Sequence, residues 1–245
     1  MEPGEWAELE AFRDWVAAAP GGPVEAVQHG SALAARSTAF PTRELNRILG
    51  LYDVADLDAL APFYSGGSFW VSLDPTSRLD GELLARGFVA DYGWQKFARG
   101  LEPVAARTDL RVTEAESPAD FGNAFAEGYG LPAALAGFAA AVVGRSGWHC
   151  FVAYDGRTPV GAGALFESGD AGWLGAAATV PSHRGRGAQS AILAARVERA
   201  RERGIRVLIT ETGVPRDGRP GASYRNIVAS GFEPTYVRPN YASPG

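Results

Sequence analysis

One cysteine, Cys150, stands in a chain of 245 residues, so no disulfide forms within it and a reducing compartment is expected. Histidine is nearly as scarce. His29, His149 and His183 offer no metal-ligand spacing, and no metal is expected. Lysine occurs once, at Lys96, which excludes a Walker loop with its Lys-Ser/Thr pair after the second glycine. No apolar run approaches the ~20 residues of a membrane span. Basic charge is not in excess either: 23 Lys and Arg against 28 Asp and Glu leave −5, which argues against a bulk binder of nucleic acid or membrane. Glu2, Glu5, Glu8 and Glu10 precede the first basic residue and oppose a signal peptide, so a cytoplasmic location is expected.

What is present describes an ordinary globular protein, with 46% hydrophobic and 21% charged residues and length for one large or two small domains. Abundant Ala, Gly, Pro and Arg read as a GC-rich bacterial coding bias. The periodicity predicts a helix over 4–18 and a hairpin around His29-Gly30. A half-exposed strand over 44–49, a helix over 53–60, a strand over 68–73, a helix over 79–86 and a strand over 94–97 follow. After a linker at 101–109 come a strand from Leu110, two helices broken at Tyr129-Pro132, and a meander over 149–154, 160–166 and 172–180. Strand, helix, Gly-Phe, aromatic strand occurs at 69–97 and again at 207–237, the pattern of an internal repeat.

The chain is organised around Val180 to Gln189, where an apolar strand enters a helix that Gly204 caps. Two glycines alternate there with two arginines. Glycine lets backbone N–H groups approach a ligand, and a helix start favours negative charge. The element suits a phosphate or diphosphate. A dinucleotide fingerprint shares two glycines and an acid, Glu211, at fitting distance; against it, Ser190 replaces the third glycine and too little chain follows for further βαβ units.

Arg184-Gly185-Arg186-Gly187-Ala188-Gln189 resembles the diphosphate loop of the GNAT superfamily of N-acetyltransferases, and the order of elements over roughly 108–242 is similar to that family's. The resemblance implies an α/β (α+β) fold with a mixed, mostly antiparallel sheet flanked by helices. It implies a tandem: a degenerate half at residues 1–105 that lacks the loop and binds no coenzyme A, and a catalytic half at 106–245. The implied co-substrate is acetyl-CoA and the implied reaction is acyl transfer to a primary amine of a small molecule, by a monomer or homodimer. Ala178, Thr179 and Val180 would meet pantetheine, with the N–H groups of Ala178 and Val180 as donors; residues 184–189 would take the diphosphate, and Asn226 with Ser223 would help. Gln189 departs from the family's Gly or Ala. Ile227 stands where the family has its acidic Tyr, which passes that role to Tyr224 or to water.

Glu211 and Glu167, at strand ends, are the candidate bases, since partial burial raises a carboxylate's pKa. Glu127, Tyr129 and Leu131, at the helix break, are candidate acceptor contacts, with Trp173 and Tyr236. Cys150 reads as a buried strand residue, and Arg196, Arg199, Arg201 and Arg203 as a charged helix face. A non-catalytic acyl-CoA sensor and a nicotinamide-dependent oxidoreductase remain as alternatives.

Overall fold

A computed structural model describes residues 2–37, 39–214 and 218–244. The opening amphipathic segment forms α1 (Pro3–Ala18), which buries Ala7, Leu9, Ala11, Phe12 and Trp15. β1 (Val24–His29) and β2 (Ala32–Ser37) pair as the expected hairpin, turning at Gly30 with φ +54°. Of the strand expected over 44–49 only β3 (Arg47–Leu49) forms. All three of its residues are buried, because it lies between β2 and β4 (Trp70–Ser72) rather than at a wet face. Asp53 caps α2 (Val54–Leu60), its carboxylate accepting the Ala55 N–H at 2.9 Å. Then come α3 (Asp80–Ala85) and β5 (Val89–Arg99).

The second half begins with β6 (Arg111–Glu114). Ser117 caps α4 (Pro118–Tyr129), and Gly130, at φ +67°, ends it in the left-handed conformation that glycine adopts without strain. After α5 (Ala134–Ala140), the strands β7 (Trp148–Asp155), β8 (Thr158–Ser168) and β9 (Ala171–Thr179) form the meander. α6 (Ala188–Arg203), β10 (Val207–Gly213), α7 (Ala222–Ala229) and β11 (Glu233–Ala242) complete the chain.

The eleven strands among the described residues share one sheet, ordered β1-β2-β3-β4-β11-β5-β10-β9-β8-β7-β6. Parallel pairs among the described residues are β3 with β4 and β9 with β10; the rest are antiparallel, so the sheet is mixed and mostly antiparallel. The repeated pattern corresponds to β4-α3-β5 and β10-α7-β11. Each repeat sends its last strand across the other: β5 lies along β10, with Leu208 opposite Arg99 and Gly213 opposite Trp94, and β11 lies along β4. The linker between β5 and β6 thus joins two sets of strands that are hydrogen-bonded through each other.

α1, α4 and α5 cover one face of the second half's strands, around Trp15, Phe121, Phe138, Trp148 and Trp173. α6 and α7 cover the other, around Phe97, Leu174, Leu193, Val197 and Ile227. Cys150 lies in the first of these cores, where burial pushes its thiol up to about 12. No helix among the described residues is long and apolar enough to cross a membrane.

Six charged side chains meet where the halves join. Glu5 and Glu8 from α1 face Arg47 of β3, Lys96 of β5 and Arg238 of β11, with Glu211 of β10 beside them. Arg47 reaches Glu8 at 2.8 Å and Arg238 reaches Glu5 at 3.0 Å, and Lys96 pairs with both Glu8 and Glu211. Three carboxylates against three cations make the buried group formally neutral, the condition under which such charges can be tolerated inside.

Candidate functional site

β9 and β10 run together only from Ala171–Val207 to Trp173–Ile209, then part. The hydroxyl of Thr210 donates to the Leu174 carbonyl at 2.8 Å, closing the narrow end of the wedge. Beyond it β9 is irregular. The register against β8 shifts between Ala162 and Ala164, and Ala176 sits at φ +48°, a β-bulge of the kind that re-aims backbone groups. The Val180 N–H donates to the Val160 carbonyl at 2.9 Å, so it is not free for a ligand, which corrects the expectation for that residue. By strand alternation past the bulge, Ala178 faces β8 in the same way, and the Thr179 N–H turns away from β8 toward the wedge.

The wedge opens on the glycine loop. Arg184 donates to the Gly128 carbonyl at 3.0 Å and to the Thr179 carbonyl at 3.3 Å, tying the loop to α4 and β9. Arg186 pairs with Asp155 at 2.6 Å and also with Asp109, outside the wedge. Both guanidinium groups therefore shape the loop. The donors left for an anion are backbone N–H groups at the start of α6, which have no helical acceptor. Gly187, at φ +82°, is pressed against neighbouring backbone: a Cβ there would lie 2.3 Å from the Arg107 carbonyl oxygen. Across the loop, Asn226 of α7 donates to the Gln189 side-chain oxygen at 2.7 Å. The residue that replaces the family's small one thus bridges the two helices.

A cavity of about 870 Å³ occupies the wedge and the space beyond it. Of the sequence candidates, Ala178, Thr179, Arg184, Gly185, Gly187, Ala188, Gln189, Ser223 and Asn226 line it, as do Tyr129, Leu131, Trp173 and Glu211. Others lie apart. Val180 is buried under β8, and Arg186 is turned to its two aspartates. Tyr224 packs edge-on against Phe97 at 5.0 Å, and exposed Glu127 is outside the lining. The Tyr236 hydroxyl donates to Glu5 at 2.8 Å. Glu167 holds His149 at 2.6 Å and Arg203 at 2.6 Å. Although burial alone would raise its carboxyl, those partners keep it below the ordinary range, the wrong direction for a base near neutral pH.

The first half contributes a wall that no motif announced. Phe12 and Trp15 of α1, with Phe40, Glu44, Tyr92 and Trp94, line the cavity. The Tyr92 hydroxyl donates to Glu44 at 2.9 Å, and the buried indole N–H groups of Trp94 and Trp173 have no protein partner among the described residues. The charged face expected on α6 also needs correction. Arg199, Arg201 and Arg203 pair with acids at the surface, whereas Arg196 is 2% exposed and lines the cavity. Spacing carried the signal: Arg196 follows Ile192 by four residues and precedes Ala200 by four, which puts it on the buried stripe.

Glu211 stands on β10 just past the point where the strands part. Burial raises its carboxyl above the ordinary value, the charge of Glu8 adds to that, and Lys96, Arg238 and Arg47 only partly offset it. It is the one sequence-proposed base that lines the cavity.

The acetyltransferase (GNAT) family matches residues 115–219. No curated protein matches the chain. Similar solved structures include a GCN5-related N-acetyltransferase from Kribbella flavida, 14% identical over 100% of this chain and 97% of that one, at a TM-score of 0.65. A GCN5-related N-acetyltransferase from Sphaerobacter thermophilus is 17% identical over 96% and 86%, at 0.61. A tandem GNAT protein from the clavulanic acid biosynthesis pathway is 14% identical over 99% and 95%, also at 0.61. At such identities the structures speak for the fold, while the family match covers α4 through β10, the span that holds the wedge and the glycine loop. Residues 115–219 are thus similar to the acetyltransferase (GNAT) family, within a fold that the solved structures share over nearly the whole chain.

Proposed function

We propose that the protein moves an acyl group, acetyl in the simplest case, from coenzyme A to a primary amine of a small molecule, directly and within a ternary complex. The observation that carries this reading is the wedge between β9 and β10, closed at Trp173–Ile209 and opening on the N-terminus of α6. A thioester arm laid in the wedge meets the Thr179 N–H beside the bulge, a donor that suits the oxygen of a tetrahedral intermediate. Its diphosphate falls at the helix start.

The amine enters from the aromatic wall. Its ammonium proton passes to Glu211, directly or through a water; burial and the charge of Glu8 raise that carboxyl in the direction a base needs. The nitrogen lone pair then forms the C–N bond, the C–S bond breaks, and the second proton that the nitrogen sheds reaches the departing thiolate through water, because Tyr224 is packed away on Phe97.

Calorimetric titration with CoA, acetyl-CoA, NAD and NADP tests the reading. The two CoA species bind and the nicotinamide nucleotides do not; the reverse result would overturn it. Thiol release from acetyl-CoA with a panel of amines separates an enzyme from a sensor, since a sensor binds without turnover. Arg184→Ala, which unties the loop from α4 and β9, is expected to raise KM for acetyl-CoA about tenfold with kcat changed less. Glu211→Gln is expected to lower kcat by about 10²–10⁴-fold and to remove the acidic limb of kcat/KM, where the base must lose its proton. A retained limb removes Glu211 from the chemistry.

A further inference from the structure

Arg47, Lys96, Arg99 and Arg238 are buried cations, and each lies within 4.0 Å of a carboxylate. Arg196 is buried as deeply, and no carboxylate among the described residues pairs with it. Its Nη1 donates to the carbonyls of Ala164 at 3.0 Å and Gly175 at 3.3 Å, which flank the β9 bulge. Its Nε finds no acceptor among the described residues. Room for the guanidinium comes from Gly163, where a Cβ would lie 3.3 Å from Arg196 Cζ and 3.5 Å from Ala177 Cβ. The charge therefore sits directly under the bulge.

Burying a cation with no anion is costly, and carbonyl bonds compensate only part of it. Burial draws this guanidinium down to about 10, which leaves it charged at neutral pH. The cavity's own carboxylates are engaged elsewhere, Glu211 with Lys96 and Glu44 with the Tyr92 hydroxyl. Arg47 and Arg184 also line the cavity but are held by Glu8 and by the Gly128 and Thr179 carbonyls, whereas the planar guanidinium of Arg196 has no anion among the described residues and fits a carboxylate. We infer that Arg196 receives a substrate carboxylate beside the β9 bulge, so that one of the two reactants is an acid. The carboxylate comes with the acyl chain, as in a malonyl or succinyl thioester, or with the acceptor, as in an amino acid. This rests on the acyl-transfer reading above and makes Arg196 a specificity-determining residue within it.

The full chain is titrated with CoA, butyryl-CoA and succinyl-CoA, and, with acetyl-CoA present, with phenylalanine and phenethylamine. Each pair contrasts a carboxylate with a related neutral-ended ligand. In one arm the acid is expected to bind at least about tenfold more tightly, and that arm identifies the source. In Arg196→Met the ratio is expected to collapse to about twofold or less, and Arg196→Lys keeps part of it because the charge remains. A residue that only braced the bulge would weaken all ligands together and leave the ratios alone. No preference in either arm of the unaltered protein, which needs no variant to fold, overturns the inference, as does a preference that survives Arg196→Met. If CoA binds and both ratios are near one, only this inference falls. If CoA does not bind at all, the acyl-transfer reading falls and takes it along.

Discussion

Gly187→Ala is expected to raise the dissociation constant of CoA about 100-fold, the equivalent of one or two charge-assisted hydrogen bonds, while Gly185→Ala raises it less than about tenfold. The two glycines are nearly identical in backbone, at φ +82° and +83°, so conformational strain is common to both. They differ in what surrounds them. A Cβ on Gly185 meets nothing within 4 Å, whereas one on Gly187 would stand 2.3 Å from the Arg107 carbonyl oxygen and 3.3 Å from Thr108 Cβ. The obstacle is backbone, and no rotamer relieves it. Either the loop or the 107–108 segment must move, and the Thr108 hydroxyl, which donates to the Arg186 carbonyl at 2.7 Å, couples the two. Displacing Gly187 by even a fraction of an ångström re-aims the N–H groups that open α6. Calorimetric titration of both variants, with thermal melts to show that each is folded, checks the contrast. Equal losses would mean that strain, and not the clash, sets the loop's tolerance.

Local chemistry made that loop legible in the sequence. Glycines alternating with arginines between an apolar strand and a helix, with Gly204 ending it, are signals contained within about twenty residues. The meander and the Ser117 cap were readable for the same reason. Strand exchange was not, because the pairing of β5 with β10 joins residues more than a hundred positions apart, and nothing in the periodicity of either strand names its neighbour. Glu44 to Leu49 alternates as a half-wet strand does, yet only Arg47–Leu49 pairs, and burial on both sides comes from neighbours supplied elsewhere in the chain. Residue type outweighed spacing at Arg196: an arginine among arginines reads as surface, although its position on the helix reads as core. The aromatic wall from Phe12, Phe40 and Trp94 belongs to the same class of feature, assembled by the sheet and invisible in any single stretch.

Glu8→Gln is expected to cost about 3–5 kcal/mol of unfolding free energy, the usual effect of removing one partner from a buried ionic group. Glu8 is fully buried and touches Arg47, Lys96 and Arg238, so the substitution leaves three cations facing two carboxylates. Burial would push the Glu8 carboxyl up, but Arg238, Lys96 and Arg47 together hold it well below its ordinary range. Its folded-state pKa is therefore depressed. The stability it contributes is complete above the unfolded-state value near ~4.3 and is lost as pH falls through the folded value. Urea unfolding of the protein and the variant should accordingly differ most at neutral pH and converge in acid. A constant difference would show that Glu8 acts by packing alone. Glu211 carries the opposite sign, since its carboxyl is raised, and the charge of Glu8 is one of the causes. Removing that charge lets Glu211 ionise more easily, so the acidic limb of kcat/KM in Glu8→Gln should move to lower pH. A single substitution 0% exposed in the network behind the cavity thus reports on stability through the depressed group and on catalysis through the raised one. A limb that stays in place while stability drops would separate the ionic joint between the halves from the chemistry of the wedge.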